Sequence, residues 1–281
     1  MRLARPLPVK DRFDAGLGTR WGRIFIGGAT FDLTDDGLRL GFTRATRQSY
    51  TDAEINDYFH LPRAHYPWRP PLHLHVRARV SHPVARPGEP QTAPVLTGTA
   101  GFGFWNFPLS LHGRPQAPPE AIWFFYASPP SNMALVPGLP GWGWKAQVVH
   151  TRRWGALAAV VPTALAVLGA RLTHREQMAA RWLQRLSGTS EVLLMNDPRV
   201  WADYELEWLP TLARFIVDGQ EVLRVANPPP GPLGFVAWID NQFALATPRG
   251  ELRFGLLDTG PQWLELAEVC ILPDVPDRSW G

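Results

Sequence analysis

Cysteine is nearly missing from this chain of 281 residues, which removes the small disulfide-stapled folds from consideration. Cys270 stands alone among Val269, Ile271 and Leu272, the setting of a buried strand cysteine rather than a reactive thiol. Lysine is as scarce: of 28 basic residues only Lys10 and Lys145 are lysines. The arginines are dispersed, without a stripe or interleaved aromatics, so the net charge of +3 reads as a mixed solvated surface and no nucleic-acid partner is expected. Gly-x-Gly-x-x-Gly, the phosphate-binding Gly-Lys-Ser/Thr and Gly-x-Ser-x-Gly are all absent, which leaves nucleotide and serine-hydrolase readings without support and no cofactor expected. The first residues, Met1 to Asp11, hold no apolar run before charge resumes; with the single cysteine this leads to the expectation of a cytoplasmic protein.

What is present points to β-structure. Hydrophobic residues make up 45% of the chain and aromatics 11%, enough for a large core, and the 29 prolines and 25 glycines are scattered as many short strands and turns require. Short alternating segments recur at 23–26, 37–42, 73–80, 101–107, 121–126, 144–149, 191–195, 204–208, 214–218, 234–239, 252–256 and 263–272, with Pro- or Gly-bearing connectors. The expected architecture is all-β: one domain over 1–281, a two-sheet antiparallel jelly-roll sandwich.

One interval breaks the pattern. Residues 154–170 carry no charge and are bracketed by Arg152, Arg153 and Arg171; then Thr173-His-Arg-Glu176 reads as a capping box, and Met178, Trp182 and Leu186 form one apolar stripe ending at Gly188. A helical hairpin inserted over 152–188 is expected. Its first helix would span about 25 Å, short of the ~20 residues of a membrane crossing, and Pro162 interrupts it. It therefore reads as core packing, as the lid of a cavity, or as a monotopic anchor making peripheral membrane contact.

The most informative stretch is Trp201-Ala-Asp-Tyr-Glu-Leu-Glu-Trp208-Leu-Pro210 followed by Ala213-Arg-Phe-Ile-Val-Asp-Gly219-Gln-Glu-Val222. Its alternation through Tyr204, Leu206 and Trp208, the turn at Pro210 and the Asp218-Gly219 pair predict a hairpin and a third strand at Glu221–Val225. The pattern resembles the late sheet of concanavalin A-like lectins and glucanases, especially family 16 glycoside hydrolases, with matches at Trp201, Tyr204, Glu207, Trp208, Pro210, Arg214, Phe215, Val217, Asp218, Gly219 and Val222. The resemblance implies the jelly roll and, in an active member, Glu-x-Asp-x-Glu or Glu-x-Asp-x-x-Glu on one strand, lining up the carboxyls that retaining hydrolysis needs roughly 5–5.5 Å apart.

By strand order that motif should fall on Pro119-Glu120-Ala-Ile-Trp-Phe-Phe-Tyr126, where only Glu120 is acidic; Ile122 and Phe124 or Phe125 stand where carboxylates would, and shifting by one residue to Ala121, Trp123 and Phe125 restores none. The retaining mechanism of the family is therefore expected to be absent. A floor of Ile122, Phe124 and Tyr126 beside Trp105 would be apolar and would suit a small hydrophobic or amphipathic molecule held between sheet and hairpin, with Trp238, Gln242, Tyr58 and Trp182 as further contacts. The bland alternative is that the protein fills this groove itself. A single acid or base from Glu120, Asp57 or Asp240 would serve isomerisation or cyclisation. The competing readings are a divergent family 16-like hydrolase or carbohydrate-binding protein that uses Glu120 with Asp240 or Asp57, and a peripheral membrane protein.

Three polar stretches bear on this choice. In Gly234–Phe243 the alternation puts Trp238, Asp240 and Gln242 on one face, although Asp-Asn-Gln also suits a strand-end turn. Asp52, Glu54 and Asn56 are evenly spaced in a stretch dense in carboxylates and tyrosines, which reads as a solvated loop, a calcium site or the acid/base pair Asp57 and Tyr58; it lacks the glycine and distal glutamate of an EF-hand. His73 and His75 share a strand face but have no third ligand at an obvious spacing, so no metal is expected there.

Overall fold

The computed structural model describes residues 6–89, 94–107, 119–133, 136, 138–150, 188–246 and 252–273. Its strands are, in chain order, β1 (Val9–Asp11), β2 (Gly22–Ile26), β3 (Thr30–Thr34), β4 (Gly37–Phe42), β5 (Asp52–Asn56) and β6 (Leu72–Val80). There follow β7 (Thr99–Trp105), β8 (Glu120–Ala127), β9 (Asn132–Met133), β10 (Gly143–His150), β11 (Thr189–Leu193) and β12 (Ala202–Trp208). The last are β13 (Leu212–Val217), β14 (Gln220–Ala226), β15 (Gly234–Asp240), β16 (Gln242–Ala246), β17 (Leu252–Leu256) and β18 (Gln262–Leu272). The first sheet runs β14-β13-β12-β6-β18-β4-β3 with β1 added on β18; the second runs β11-β10-β8-β7-β15-β5-β2; a small third sheet joins β17, β16 and β9. All pairings within the two large sheets are antiparallel. The helical hairpin expected over 152–188, including Trp182, lies outside the described residues except for Gly188.

The period-two pattern of each strand decides what it buries. β12 turns Tyr204, Leu206 and Trp208 inward while β6 contributes Leu72, Leu74 and Val76, all buried. Against them the second sheet sends Phe102 and Phe104 from β7 and Phe124 from β8. The rings mesh across the gap: Phe124 lies 5.0 Å from Tyr204 and 5.3 Å from Phe215, Phe102 lies 5.2 Å from Tyr204, and Phe104 lies 5.6 Å from Trp208. Edge-on and tilted geometries predominate, as aromatic quadrupoles prefer.

The hairpin and third strand predicted from Tyr204 to Val225 are present as β12, β13 and β14. Val217 pairs with Gln220 across a two-residue turn in which Asp218 has φ 48° and Gly219 has φ 79°, the positive pair that a type I′ turn demands. A Cβ at Gly219 would meet open space, so Gly219→Ala pays only the left-handed backbone cost, about 1–2 kcal/mol, visible as a lower melting temperature without a change in cooperativity.

On the outer face of the first sheet His73 Nε2 lies 2.9 Å from Glu205 Oε2 and His75 Nε2 lies 3.0 Å from Asp203 Oδ1, so each ring has a cross-strand carboxylate partner. Cys270 is buried in β18, as its neighbours predicted. Five strands were not anticipated: β1, β3, β5, β9 and β16. Among them β5 matters most, because the stretch read as a solvated loop or calcium site is a buried strand of the second sheet.

Candidate functional site

The register of β8 overturns the expected apolar pocket floor. Ile122, Phe124 and Tyr126 point into the space between the sheets, Ile122 and Phe124 with 0% exposure, where they belong to the core. They therefore line no cleft. Glu120 shares their parity and is buried at the far end of the strand, opposite His150, whose Nε2 lies 3.6 Å from Glu120 Oε1; it is not an exposed strand-start carboxylate. Asp57 is likewise turned toward the core side, where its carboxylate accepts from Trp68 Nε1 at 2.5 Å and from the Phe235 backbone at 2.8 Å. Neither of these two candidates shares a sheet face with Asp240.

The outer face of the second sheet carries the other parity, and its register arranges the side chains in rows across the strands. One row reads Glu191, Gln147, Trp123, Gly103, Val236 and Asn56. The next reads Leu193, Lys145, Phe125, Gly101, Trp238 and Glu54. A third sets Thr99 beside Asp240 and Asp240 beside Asp52. An aromatic floor results. Trp123 stacks on Phe125 at 5.4 Å and lies 5.2 Å from Trp238 and 5.8 Å from Trp105.

Each of these indoles is pinned by its N–H. Trp123 Nε1 donates to Gln147 Oε1 at 2.7 Å, Trp238 Nε1 to Thr99 Oγ1 at 2.9 Å, and Trp105 Nε1 to the Tyr58 hydroxyl at 2.5 Å. Their polar edges are occupied; Trp105 and Trp123 are half-buried and keep ring surface open, whereas Trp238 is buried beside them. Gly101 and Gly103 make this possible: a Cβ at Gly101 would lie 2.9 Å from Trp238 Cη2, and one at Gly103, where φ is 147°, would lie 2.6 Å from Trp123 Cβ.

At one end of the floor stand three carboxyls, Asp52 and Glu54 of β5 and Asp240 of β15, with exposures of 4%, 7% and 5%. Asp240 Oδ1 accepts from Thr99 Oγ1 at 2.8 Å, Thr99 N at 3.1 Å and Gln242 N at 3.0 Å. Glu54 Oε1 accepts from Asn56 Nδ2 at 2.8 Å and the Tyr58 hydroxyl at 3.4 Å. Asp52 Oδ1 is buried and accepts no hydrogen bond among the described residues.

Burial raises all three, because a carboxylate loses its hydration there. It lifts Glu54 to about 7, against hydrogen bonds from Asn56 and Tyr58, with Asp240 adding to the rise. It lifts Asp240 to about 6 against hydrogen bonds from Gln242 and Thr99. Asp52 is pushed well above the usual carboxylate range by burial and then by the charges of Glu54 and Asp240, with a hydrogen bond from Tyr50 opposing. Tyr50 is raised in turn, by burial first and next by Asp240 and Asp52. Neighbouring carboxyls that titrate apart can act as an acid and a base at one pH.

Of the residues singled out from sequence, this face brings together Asp240, Trp238, Trp105 and Tyr58, with Gln242 adjoining through its backbone N–H to Asp240. The predicted common face of Trp238 and Asp240 is present. Sequence reasoning placed Asp52 and Glu54 in a solvated loop or calcium site, not beside Asp240, and passed over Tyr50, Trp123, Phe125, Lys145, Gln147 and Glu191. Asp52-Ala-Glu54-Ile-Asn56 does alternate, and with Ala53 and Ile55 buried that was the available signal.

No protein-family model and no curated protein matches the sequence. Solved structures do share the fold. A Crh5 transglycosylase in complex with NAG superposes over 96% of this chain and 85% of its own, with a TM-score of 0.50 and 10% identity. The GlcNAcα1-4Gal releasing endo-β-galactosidase from Clostridium perfringens superposes over 96% of this chain and 62% of its own, with a TM-score of 0.50 and 12% identity. The jelly roll inferred from the 201–222 stretch is thus shared with glycan-processing proteins, at identities that speak to fold alone.

Proposed function

We propose that the outer face of the second sheet is a glycan-binding cleft, and that Asp52, Asp240 and Glu54 form its acid/base centre. One observation carries the reading: three buried carboxyls with raised pKa values adjoin a floor of tryptophans whose N–H groups are already satisfied. Pyranose rings present C–H faces to aromatic surface and hydroxyls to carboxyls, and this floor supplies both partners in adjacent rows. In β8 the cleft-facing positions are Ala121, Trp123 and Phe125, without an acid, so the chemistry sits on β15 and β5 instead.

Roles follow from protonation. Burial and the neighbouring charges of Glu54 and Asp240 favour the protonated form of Asp52, which serves as donor to a leaving oxygen, while Asp240, lifted only to about 6, serves as nucleophile or base. Direct cross-strand pairing puts their Cβ atoms about 4.5–5.5 Å apart. Both carboxyls therefore rise from adjacent positions on one face of the sheet.

The experiment is a panel of soluble glycans and aryl glycosides assayed for binding and turnover. Wild type is expected to retain at least one glycan in affinity electrophoresis and to cleave a matching aryl glycoside. Asp52→Asn and Asp240→Asn are expected to lose at least ~100-fold in kcat with the dissociation constant held within about threefold. A panel without binding or turnover rejects the reading; binding without turnover keeps the cleft and removes the acid/base roles.

A further inference from the structure

At the end of the aromatic floor remote from the carboxyls lies a second polar assembly, which the proposed chemistry does not use. Lys145 Nζ donates to Glu191 Oε1 at 2.8 Å and to the Pro140 carbonyl at 2.5 Å. Gln147 Nε2 donates to Glu191 Oε2 at 2.6 Å, and Gln147 Oε1 accepts from Trp123 Nε1 at 2.7 Å. The charged pair is buried, with side-chain exposures of 3% for Lys145 and 0% for Glu191. The register sets Glu191, Gln147 and Trp123 directly opposite one another on β11, β10 and β8, so the chain of bonds runs straight across the sheet.

The order of donors and acceptors in this chain has one solution. Glu191 is the carboxylate of an ion pair with Lys145, and a carboxylate so paired only accepts. Gln147 must therefore turn its NH2 toward Glu191, which leaves its carbonyl facing β8. An indole N–H only donates, and it finds that carbonyl. Reversing the amide would set NH2 against N–H and place a carbonyl against a carboxylate.

Stability does not require such an arrangement. A buried ion pair is costly to desolvate, and apolar side chains of similar volume commonly hold a fold as well or better. Its place is at the edge of Trp123: Phe125, Trp238 and Trp105 contact the ring, while the Gln147 carbonyl is the partner of its N–H and sets where that edge points.

We infer that the Lys145–Glu191 pair is a positioning device for ligand stacking: acting through the Gln147 amide, it holds Trp123 at the tilt that presents its ring surface to a bound sugar. This rests on the glycan-binding reading for its consequence, although the positioning itself is observable without ligand. Glu191 and Lys145 are positioning residues, and neither is expected to touch the sugar.

The test uses the full chain and begins without any glycan. The indole 1H–15N resonance of Trp123, assigned by its loss in Trp123→Phe, is expected downfield and slow to exchange in wild type. In Glu191→Gln it is expected to move upfield and exchange faster, because a glutamine at 191 can present NH2 to Gln147 and reverse the amide. The same shift is expected in Lys145→Met combined with Glu191→Met, which keeps the buried volume apolar and is expected to melt no lower than wild type.

With a glycan that wild type retains, Glu191→Gln is expected to weaken binding about tenfold. In a Trp123→Phe background, where there is no N–H to satisfy, the same substitution is expected to change affinity less than twofold. An unshifted indole resonance in both variants overturns the positioning role whatever the ligand result. Equal penalties in the two backgrounds overturn its link to stacking. Failure of wild type to bind any glycan, with the resonance shifted as expected, overturns the cleft reading and confines the device to ring orientation.

Discussion

Phe124→Ala and Trp123→Ala, adjacent substitutions on one strand, are expected to fail in opposite ways. Phe124 is fully buried and meshes with Tyr204, Phe215 and Phe102, so its truncation leaves a cavity between the sheets. Phenylalanine-to-alanine changes in such settings cost about 3–5 kcal/mol. For a chain of this size that lowers the melting temperature by on the order of 10 °C. Below the transition the cleft is intact, and glycan affinity per folded molecule is expected to stay within twofold of wild type.

Trp123 lies half-buried on the other face. Losing it removes stacking surface beside Phe125 and Trp238 and strands the Gln147 carbonyl, so affinity is expected to fall at least tenfold for a small change in melting temperature. Thermal melts and a binding titration on both variants decide the matter. The reverse assignment, binding lost in Phe124→Ala and kept in Trp123→Ala, would mean that β8 presents its other face to the cleft.

Stability is expected to fall as pH rises from about 4 to about 7, the opposite of what paired surface carboxylates produce. Burial lifts Asp57 to about 7, against hydrogen bonds from Trp68 and the Phe235 backbone and the charge of Arg20. Glu54, Asp240 and Asp52 are raised as described. In the unfolded chain these groups release their protons near pH 4. Below that pH both states are protonated and the stabilisation of the neutral buried form is fully present. Between about 4 and about 7 the unfolded state binds fewer protons than the folded one, so each step upward favours unfolding until the folded groups ionise.

Glu221, held down at about 2 by hydrogen bonds from Arg224 and Arg214, acts in the other direction only under more acidic conditions. Calorimetric scans from pH 4 to pH 8 are expected to show the melting temperature highest near the acid end, falling by several degrees and then levelling. Asp52→Asn is expected to flatten this slope and to raise the melting temperature at pH 8, because a neutral amide replaces a group that burial and two neighbouring acids oppose ionising. A melting temperature that climbs steadily across the window would show that these four acids are not desolvated.

The hairpin from Tyr204 to Val222 could be read from sequence because every cue agreed: strict alternation, a turn pair needing positive φ, and one clearly apolar face. β8 could not be read as surely. Its residues are apolar on both parities, Ile122, Phe124 and Tyr126 on one and Trp123 and Phe125 on the other, so the pattern gives a strand without saying which side is core. The choice is made by β12 and β13, more than 75 positions along the chain, whose rings accept Phe124.

β5 was obscured by chemistry rather than by pattern. Asp52 and Glu54 resemble solvated loop carboxylates until Trp238, Tyr58 and the second strand of acid, β15, are folded against them. The helix-forming cues between Arg152 and Gly188 fall outside the described residues.

Gly101 and Gly103 hold one more consequence. Between two neighbouring strands that each bring large rings to the cleft, β7 contributes bare backbone at its centre, and the indoles settle into the trough this leaves. The depth of the proposed cleft is thus set by two side chains that are not there. Added bulk at either position would lift the floor and spill both tryptophans outward, whereas a change at the margin, at Gln242 or Phe107, would alter what enters without moving what lies beneath. Variation in ligand preference among chains built on this plan should accordingly collect at the rim and spare the trough, a pattern that saturation mutagenesis scored for binding would reveal.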